Sequence, residues 1–291
     1  MAPRTRLSIA KSDIVAAIDA ESRKIWTAEN INELMREKAQ FWRLARNQTL
    51  TGFIEFLLRD TQLKQATFTF PQKKISRYIW GEASIFELSL SLYPKIYLSH
   101  YSAVYLHGLT EQIPKTVYIN KEQPYQSQGT ELQQERIDFA FSRNVRVSHE
   151  IAEHRGYRIC VVHGAKTDNL GIIEMPGPEG EPLRVTDLER TLIDITVRPV
   201  YAGGVFEVLK AYRMAAERVS INRLIAHLGR IGHAYPFHQA IGFYLEKAGV
   251  YSESQIEIVR RIPIKFDFYL EHGIKDADYS KRWQLYFPKG M

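Results

Sequence analysis

The sequence predicts an α+β protein built in two parts, and three observations carry that prediction. Helix-period and strand-period apolar patterns both recur along the 291 residues. A helical N-terminal stretch ends in two strand-like runs, after which a longer mixed segment begins. The positive charge is also uneven. Residues 1–82 hold 14 Lys and Arg against 9 Asp and Glu, whereas the remaining 209 hold 25 against 24. Between residues 36 and 77 the balance is sharper still, 9 basic against 3 acidic. The expected division is therefore a basic domain over 1–82 and a larger, nearly neutral α+β domain over 83–291.

In the first part, Ser12-Asp13 is suited to cap a helix through Ile14, Val15, Ala17 and Ile18. Thr27 is suited to cap a second helix over 28–42, with Ile31, Leu34, Met35, Lys38 and Phe41 at helical spacing. The polar break Arg46-Asn47-Gln48 precedes a third helix over 49–60, whose apolar side is Phe53, Phe56, Leu57 and Leu58. Strand-like runs at 66–70 and 75–80 flank Pro71-Gln72-Lys73-Lys74, a link with no glycine to tighten it. Three helices followed by a hairpin is the order of a winged helix-turn-helix, in which the third helix enters the DNA major groove.

The residues around that third helix fit the role. A helix N-terminus presents unpaired N–H groups and a positive dipole end to phosphate. Arg43, Arg46, Asn47, Gln48 and Thr49 surround it, and Arg, Asn and Gln are side chains that read base edges bidentately. Arg59 and Lys64 flank the far end of the helix, and Lys73 and Lys74 mark the hairpin tip, where point charges suit phosphate. These nine residues are the candidate DNA contacts.

In the second part, the segment 83–94 reads as a helix or connector closed by Pro94. A strand at 95–98 then leads into a helix that starts at Ser99 and stops at Gly108. A turn holding Pro114 follows, then a strand at 117–119, a strand at 157–163 and a loop over 164–182. Thr186 and Glu189 have capping-box spacing before a helix with Leu188, Leu192 and Ile195 on its apolar stripe. Asp187, Arg190, Asp194 and Arg198 occupy another face and read as a surface ion-pair network. Helices are expected after Gly204, after Ser220, through 241–249 and, from a Ser252–Gln255 capping box, through 256–262. Late strands are expected at 265–270 and 283–287.

Several function classes lose support. No run of about 18 apolar residues occurs, so a membrane span is not expected. The basic N-terminus lacks the apolar core of a signal peptide, which leaves a cytoplasmic location as the expectation. The lone Cys160 forms no internal disulfide or cysteine zinc site, and its apolar run reads as a buried strand. His100 and His107 are seven apart, His149 and His154 five apart, and His227, His233 and His238 only loosely grouped. None has metal-ligand spacing, and no GxxxxGK[ST], GxSxG or GxGxxG run stands in a meaningful place. No cofactor or metal is expected.

The blocks LSHYSAVYLHGL (98–109), VTDLERTLID (185–194), Arg198-Pro199, Tyr201–Gly204 and the tail KFDFYLEHG with KRWQLYFPK together resemble the AbiEi family. These are antitoxins of abortive-infection toxin–antitoxin pairs. The resemblance covers roughly 97–289, and over the N-terminal part it rests on element order alone. It implies an autorepressor that binds double-stranded DNA at inverted repeats in its own promoter. It further implies an antitoxin, not an enzyme, that counters a separately encoded nucleotidyltransferase toxin, in this family without need of a stable complex. Two other readings stay open at this stage. One is a nucleic-acid- or nucleotide-processing enzyme using Asp187, Glu189 or Asp194. The other is a stand-alone transcriptional regulator.

Overall fold

A computed structural model describes residues 5–124 and 132–291. The first four residues of the basic N-terminus read above lie outside the described residues. The chain is a mixed α+β protein that divides into two compact units, Met1–Pro94 with Ala152–Tyr157, and Lys95–Ile151 with Arg158–Met291.

The first unit opens with a single turn, α1 (Arg6–Ile9), whose N-cap Thr5 accepts from the Ser8 N–H. α2 (Lys11–Asp19) follows with Ala10 at its N-cap, and Asp13, expected as part of the cap, lies instead in the first turn. A short strand, β1 (Ile25–Trp26), comes next; two residues are too few to show a period. α3 (Ala28–Lys38) is held by a reciprocal Thr27–Asn30 capping box. It stops short of the expected residue 42. A separate turn, 39–42, closes as Leu44 N–H bonds Ala39 C=O and Arg43 N–H bonds Gln40 C=O. This is a Schellman arrangement, with Arg43 at φ 52° in the left-handed position that usually takes glycine. It exposes Phe41 and buries Trp42 instead.

α4 (Leu50–Asp60) is capped by the Thr49 hydroxyl, which accepts from Gly52 N–H at 3.2 Å. β2 (Leu63–Thr69) and β3 (Lys74–Trp80) pair antiparallel from Leu63↔Trp80 to Thr69↔Lys74. Phe70 and Lys73 close the hairpin around Pro71-Gln72, so the link without glycine is tight. β1 joins the other side of β3, giving the order β1–β3–β2. The core gathers Ile14, Ile18, Ile31, Leu34, Trp42, Phe53 and Leu57, with the Trp42 and Phe53 rings stacked at 5.9 Å. Trp80 Nε1 donates to Asp19 at 2.7 Å and ties β3 to α2.

The division expected at residue 82 falls inside the first unit, whose contacts run on to Pro94. α5 (Ile85–Leu90), begun by a Ser84–Glu87 capping box, is held to β3 by Arg77. The Arg77 guanidinium donates to the carbonyls of Ser91 (2.7 and 2.9 Å) and Leu92 (3.1 Å), so the end of α5 is clamped to the hairpin.

In the second unit, β4 (Tyr97–Leu98) enters α6 (His100–Leu106), which a second Schellman turn closes at Gly108, φ 64°. β5 (Thr116–Glu122) and α7 (Gln134–Phe141) follow. Next come β6 (Ile151–His154), whose residues from Ala152 group with the first unit, and β7 (Tyr157–Gly164). The expected loop at 164–182 contains a strand, β8 (Ile172–Pro176), paired antiparallel with β9 (Pro182–Thr186). Within this unit the sheet runs β7–β5–β4–β9–β8, mixing parallel and antiparallel neighbours. Cys160 is buried in β7.

α8 (Leu188–Val197) is the centre of this unit, with every residue from Leu188 to Thr196 buried. It packs against α6, β9, α9 (Val205–Ala215), α10 (Ile221–Ile231) and α11 (Phe237–Ala248). α12 (Glu253–Arg260) starts at the expected Ser252–Gln255 capping box. A small sheet, β10 (Phe268–Tyr269), β12 (Leu285–Pro288) and β11 (Ala277–Ser280), ends the chain. Gln239 Nε2 donates to the carbonyls of Phe266, Trp283 and Gln284 and so fixes this sheet to α11. The fully buried Trp283 ring lies where a Cβ on Gly242 would stand, 2.1 Å from it.

Candidate nucleic-acid interface

The turn between α3 and α4 presents Arg43, Arg46, Asn47 and Thr49 to solvent, with Gln48 half-buried. The sequence folds this way because the Schellman turn reverses the chain after α3, and Gln48 N–H closes onto Ala45 C=O just before the Thr49 cap. Thr49 commits its hydroxyl to the helix, and Gln48 donates its side-chain amide to Thr49 C=O at 3.1 Å. Among the described residues Arg43 and Arg46 have no ion-pair partner, nor has Lys74 at the start of β3. Their charge is therefore not spent on a carboxylate among the described residues.

The other basic candidates differ. Arg59 donates twice to Asp60, at 3.0 and 2.8 Å, and that hydrogen bond holds the guanidinium above its ordinary pKa. Lys64 bonds Glu82, whose carboxyl the ammonium holds below its ordinary value. Both stand apart from the α4 start. Eleven helical residues span about 16 Å, and a seven-residue strand, about 20 Å long, separates Lys64 from the hairpin tip. The Lys73 ammonium lies over the Tyr93 ring at 4.4 Å. The nine candidates therefore form a cluster of five at the start of α4, a pair at the hairpin tip, and two carboxylate-paired residues elsewhere.

Two exposed α4 residues escaped sequence reasoning. Thr51 and Glu55 share the solvent face with Arg59 at i,i+4 spacing. The signal for them was positional, since an acidic residue on a basic module looks like a counter-example. A carboxylate is nonetheless the group that accepts from cytosine N4.

No family model and no curated protein matches the chain. Among solved structures it is similar to the RV2827C protein from Mycobacterium tuberculosis. The TM-score is 0.61 at 15% identity, covering 96% of this chain and 91% of that one. At this identity the likeness concerns the fold.

The charged residues of α8, expected on a helix surface, are buried instead. Asp187, not Thr186, caps the helix, accepting from Arg190 N–H at 2.8 Å, while His227 Nε2 approaches its second oxygen at 3.0 Å. Glu189, 1% exposed, reaches across to α10 rather than back to a cap. It accepts from Ser220 N–H at 2.8 Å and from the Arg223 guanidinium. Arg190 Nε donates to Asp194 at 2.8 Å, and its Nη1 donates to Leu170 C=O and Thr167. The capping-box spacing misleads here because α8 is enclosed by other elements, so its acids find partners across the core. Glu122 likewise serves a loop, accepting from the backbone N–H groups of Thr167, Asp168 and Asn169. Burial raises its pKa, but donation from the Thr167 hydroxyl and from the Thr167 and Asn169 N–H groups outweighs burial and leaves it lowered. Among the described residues no group of three or more His, Cys, Asp or Glu is placed to hold a metal ion. No helix among them is long and apolar enough to cross a membrane.

Proposed function

We propose that the first unit is a winged helix-turn-helix that binds double-stranded DNA through the start of α4, with the β2–β3 hairpin as its wing. The observation that carries this reading is the pair of exposed, carboxylate-free arginines, Arg43 and Arg46, beside the capped N-terminus of α4. The element order α2, β1, α3, α4, β2, β3 with sheet order β1–β3–β2 supports it. In this reading Arg43 and Arg46 hold phosphates, and Asn47, Gln48, Thr51 and Glu55 face the bases. Lys73 and Lys74 touch the backbone at the wing.

On the sequence resemblance, we further propose that the protein is a cytoplasmic autorepressor and antitoxin whose toxin is a nucleotidyltransferase encoded nearby. Asp187 and Glu189 give their oxygens to protein donors, which supports a scaffolding part for them rather than a catalytic one.

A titration of labelled promoter DNA at several salt concentrations tests the DNA reading. The expected result is sequence-selective binding whose affinity falls steeply with salt. Equal affinity for promoter and unrelated DNA at every salt concentration would remove the repressor. Co-expression with the neighbouring gene tests the antitoxin. Growth restored by the full chain supports it, and continued arrest with soluble protein present removes it.

A further inference from the structure

One cavity in the second unit, about 530 Å³, is walled by Arg143, Arg146 and Arg198 with His233 and His272, and among the described residues no Asp or Glu lines it. Among the described residues none of these arginines has an ion-pair partner. Arg198 is set in place by a 3.0 Å bond to the Arg146 carbonyl, and Arg143 lies 3.9 Å over the exposed Phe139 ring. His272 is fixed by the Ala140 carbonyl and stacks on Phe141 at 4.3 Å.

His233 lines the same wall, edge-on to Phe237, and its buried Nε2 has no hydrogen-bond partner among the described residues. Burial takes its pKa down to about 4, with Asp194 pulling upward and Arg190 and Arg198 downward. The ring is thus neutral at pH 7. It offers one nitrogen to a ligand with no charge to neutralise. Glu271, the acid of the adjoining smaller cavity, has its carboxyl raised by burial.

A volume of this size suits one small molecule. An apolar occupant would strip water from unpaired guanidinium groups, at a cost with no return. A bare inorganic anion would leave Phe139 and Tyr235 unused. A ligand that is both anionic and flat uses both walls. Guanidinium forks match phosphate oxygens bidentately, and aromatic rings stack on a nucleobase.

We propose that this cavity binds a nucleotide, as a free nucleoside phosphate or as the end of an RNA strand, with phosphate on Arg143 and Arg146 and the base against Phe139 and Tyr235. Binding of three probes to the full chain tests it: ADP, pyrophosphate and a short labelled single-stranded RNA. Arg143→Glu, Arg146→Glu and Phe139→Ala alter exposed side chains, so thermal melts of these variants should match the parent. Arg46→Ala, in the first unit, is the control.

Each arginine variant should weaken ADP binding about tenfold or more. Phe139→Ala should weaken ADP more than pyrophosphate, because the ring carries the base as well as the Arg143 guanidinium, and Arg46→Ala should leave ADP unchanged. RNA bound much tighter than ADP, and weakened by Arg146→Glu, identifies a strand end as the source, and RNA no tighter than ADP identifies the free nucleotide. The proposal is overturned if neither ADP nor RNA binds, or if binding survives both arginine variants. It is equally overturned if pyrophosphate binds as tightly as ADP and Phe139→Ala changes nothing.

Discussion

Arg43 holds a backbone position that favours glycine, next to a helix start that favours anions. A left-handed non-glycine residue costs on the order of 1 kcal/mol, and such strain collects where function needs the side chain. Arg43→Gly should therefore raise stability by about 1 kcal/mol while weakening DNA binding. Denaturant melts and DNA titrations on one sample would show whether the effects part company. Arg46 carries no strain, so Arg46→Ala should reduce affinity and lower the salt slope by about 1 without moving the melt. An unchanged slope would take Arg46 out of the interface. Arg59→Ala should change the slope little, since Asp60 already engages that charge.

His100 is a second left-handed residue, φ 51°, and 4% exposed. Ser99 Oγ meets its Nδ1 at 2.8 Å and Tyr201 meets its ring edge-on. Burial depresses its pKa to about 4, with Asp194 raising it and Arg198 and Arg190 lowering it. The unfolded chain then binds the proton first. Stability is whole above the ordinary value near 6.5 and is lost as pH falls toward about 4, by up to about 3 kcal/mol for this group. Melts at pH 7 and pH 4.5 should show a smaller drop for His100→Asn, because Asn tolerates the left-handed region and does not titrate.

At the scale of elements, legibility followed exposure. The α3 cap at Thr27, the α12 capping box and the Gly108 stop were readable because each is set by neighbours in sequence. β1, β8 and β11 were not, because short strands gain their form from partners elsewhere in the sheet. α8 shows the sharpest limit. Its amphipathic spacing describes a surface helix, yet it is enclosed, and its charges became buried pairs. Asp194→Ala would leave the Arg190 guanidinium buried beside it without its carboxylate, a loss of about 3–5 kcal/mol by chemical denaturation. A loss under about 1 kcal/mol would mean that water reaches that pair. The cluster of DNA candidates was legible as a charge pattern, whereas the carboxylates that engage Arg59 and Lys64 emerged only from geometry.

Across the whole molecule, the charge surplus read from sequence belongs to a unit that reaches beyond the hairpin. Arg77 fastens β3 to the end of α5, and His154 packs on Phe68 at 4.9 Å. A fragment of residues 1–94 should therefore melt higher than one of residues 1–82, which has lost the carbonyls that Arg77 binds. Equal melting temperatures would make that clamp dispensable.

The chain has four tryptophans. Trp26, Trp42 and Trp80 lie in the core of the first unit, and Trp283 is sealed against Gly242 in the second. Fluorescence is thereby divided between the two units. In a Trp283→Phe protein the remaining emission reports on the first unit, with Trp42 stacked on the Phe53 ring of α4. Unfolding curves of parent and variant, subtracted, would isolate the second unit's transition, so unlabelled protein could reveal whether the units come apart together or in turn.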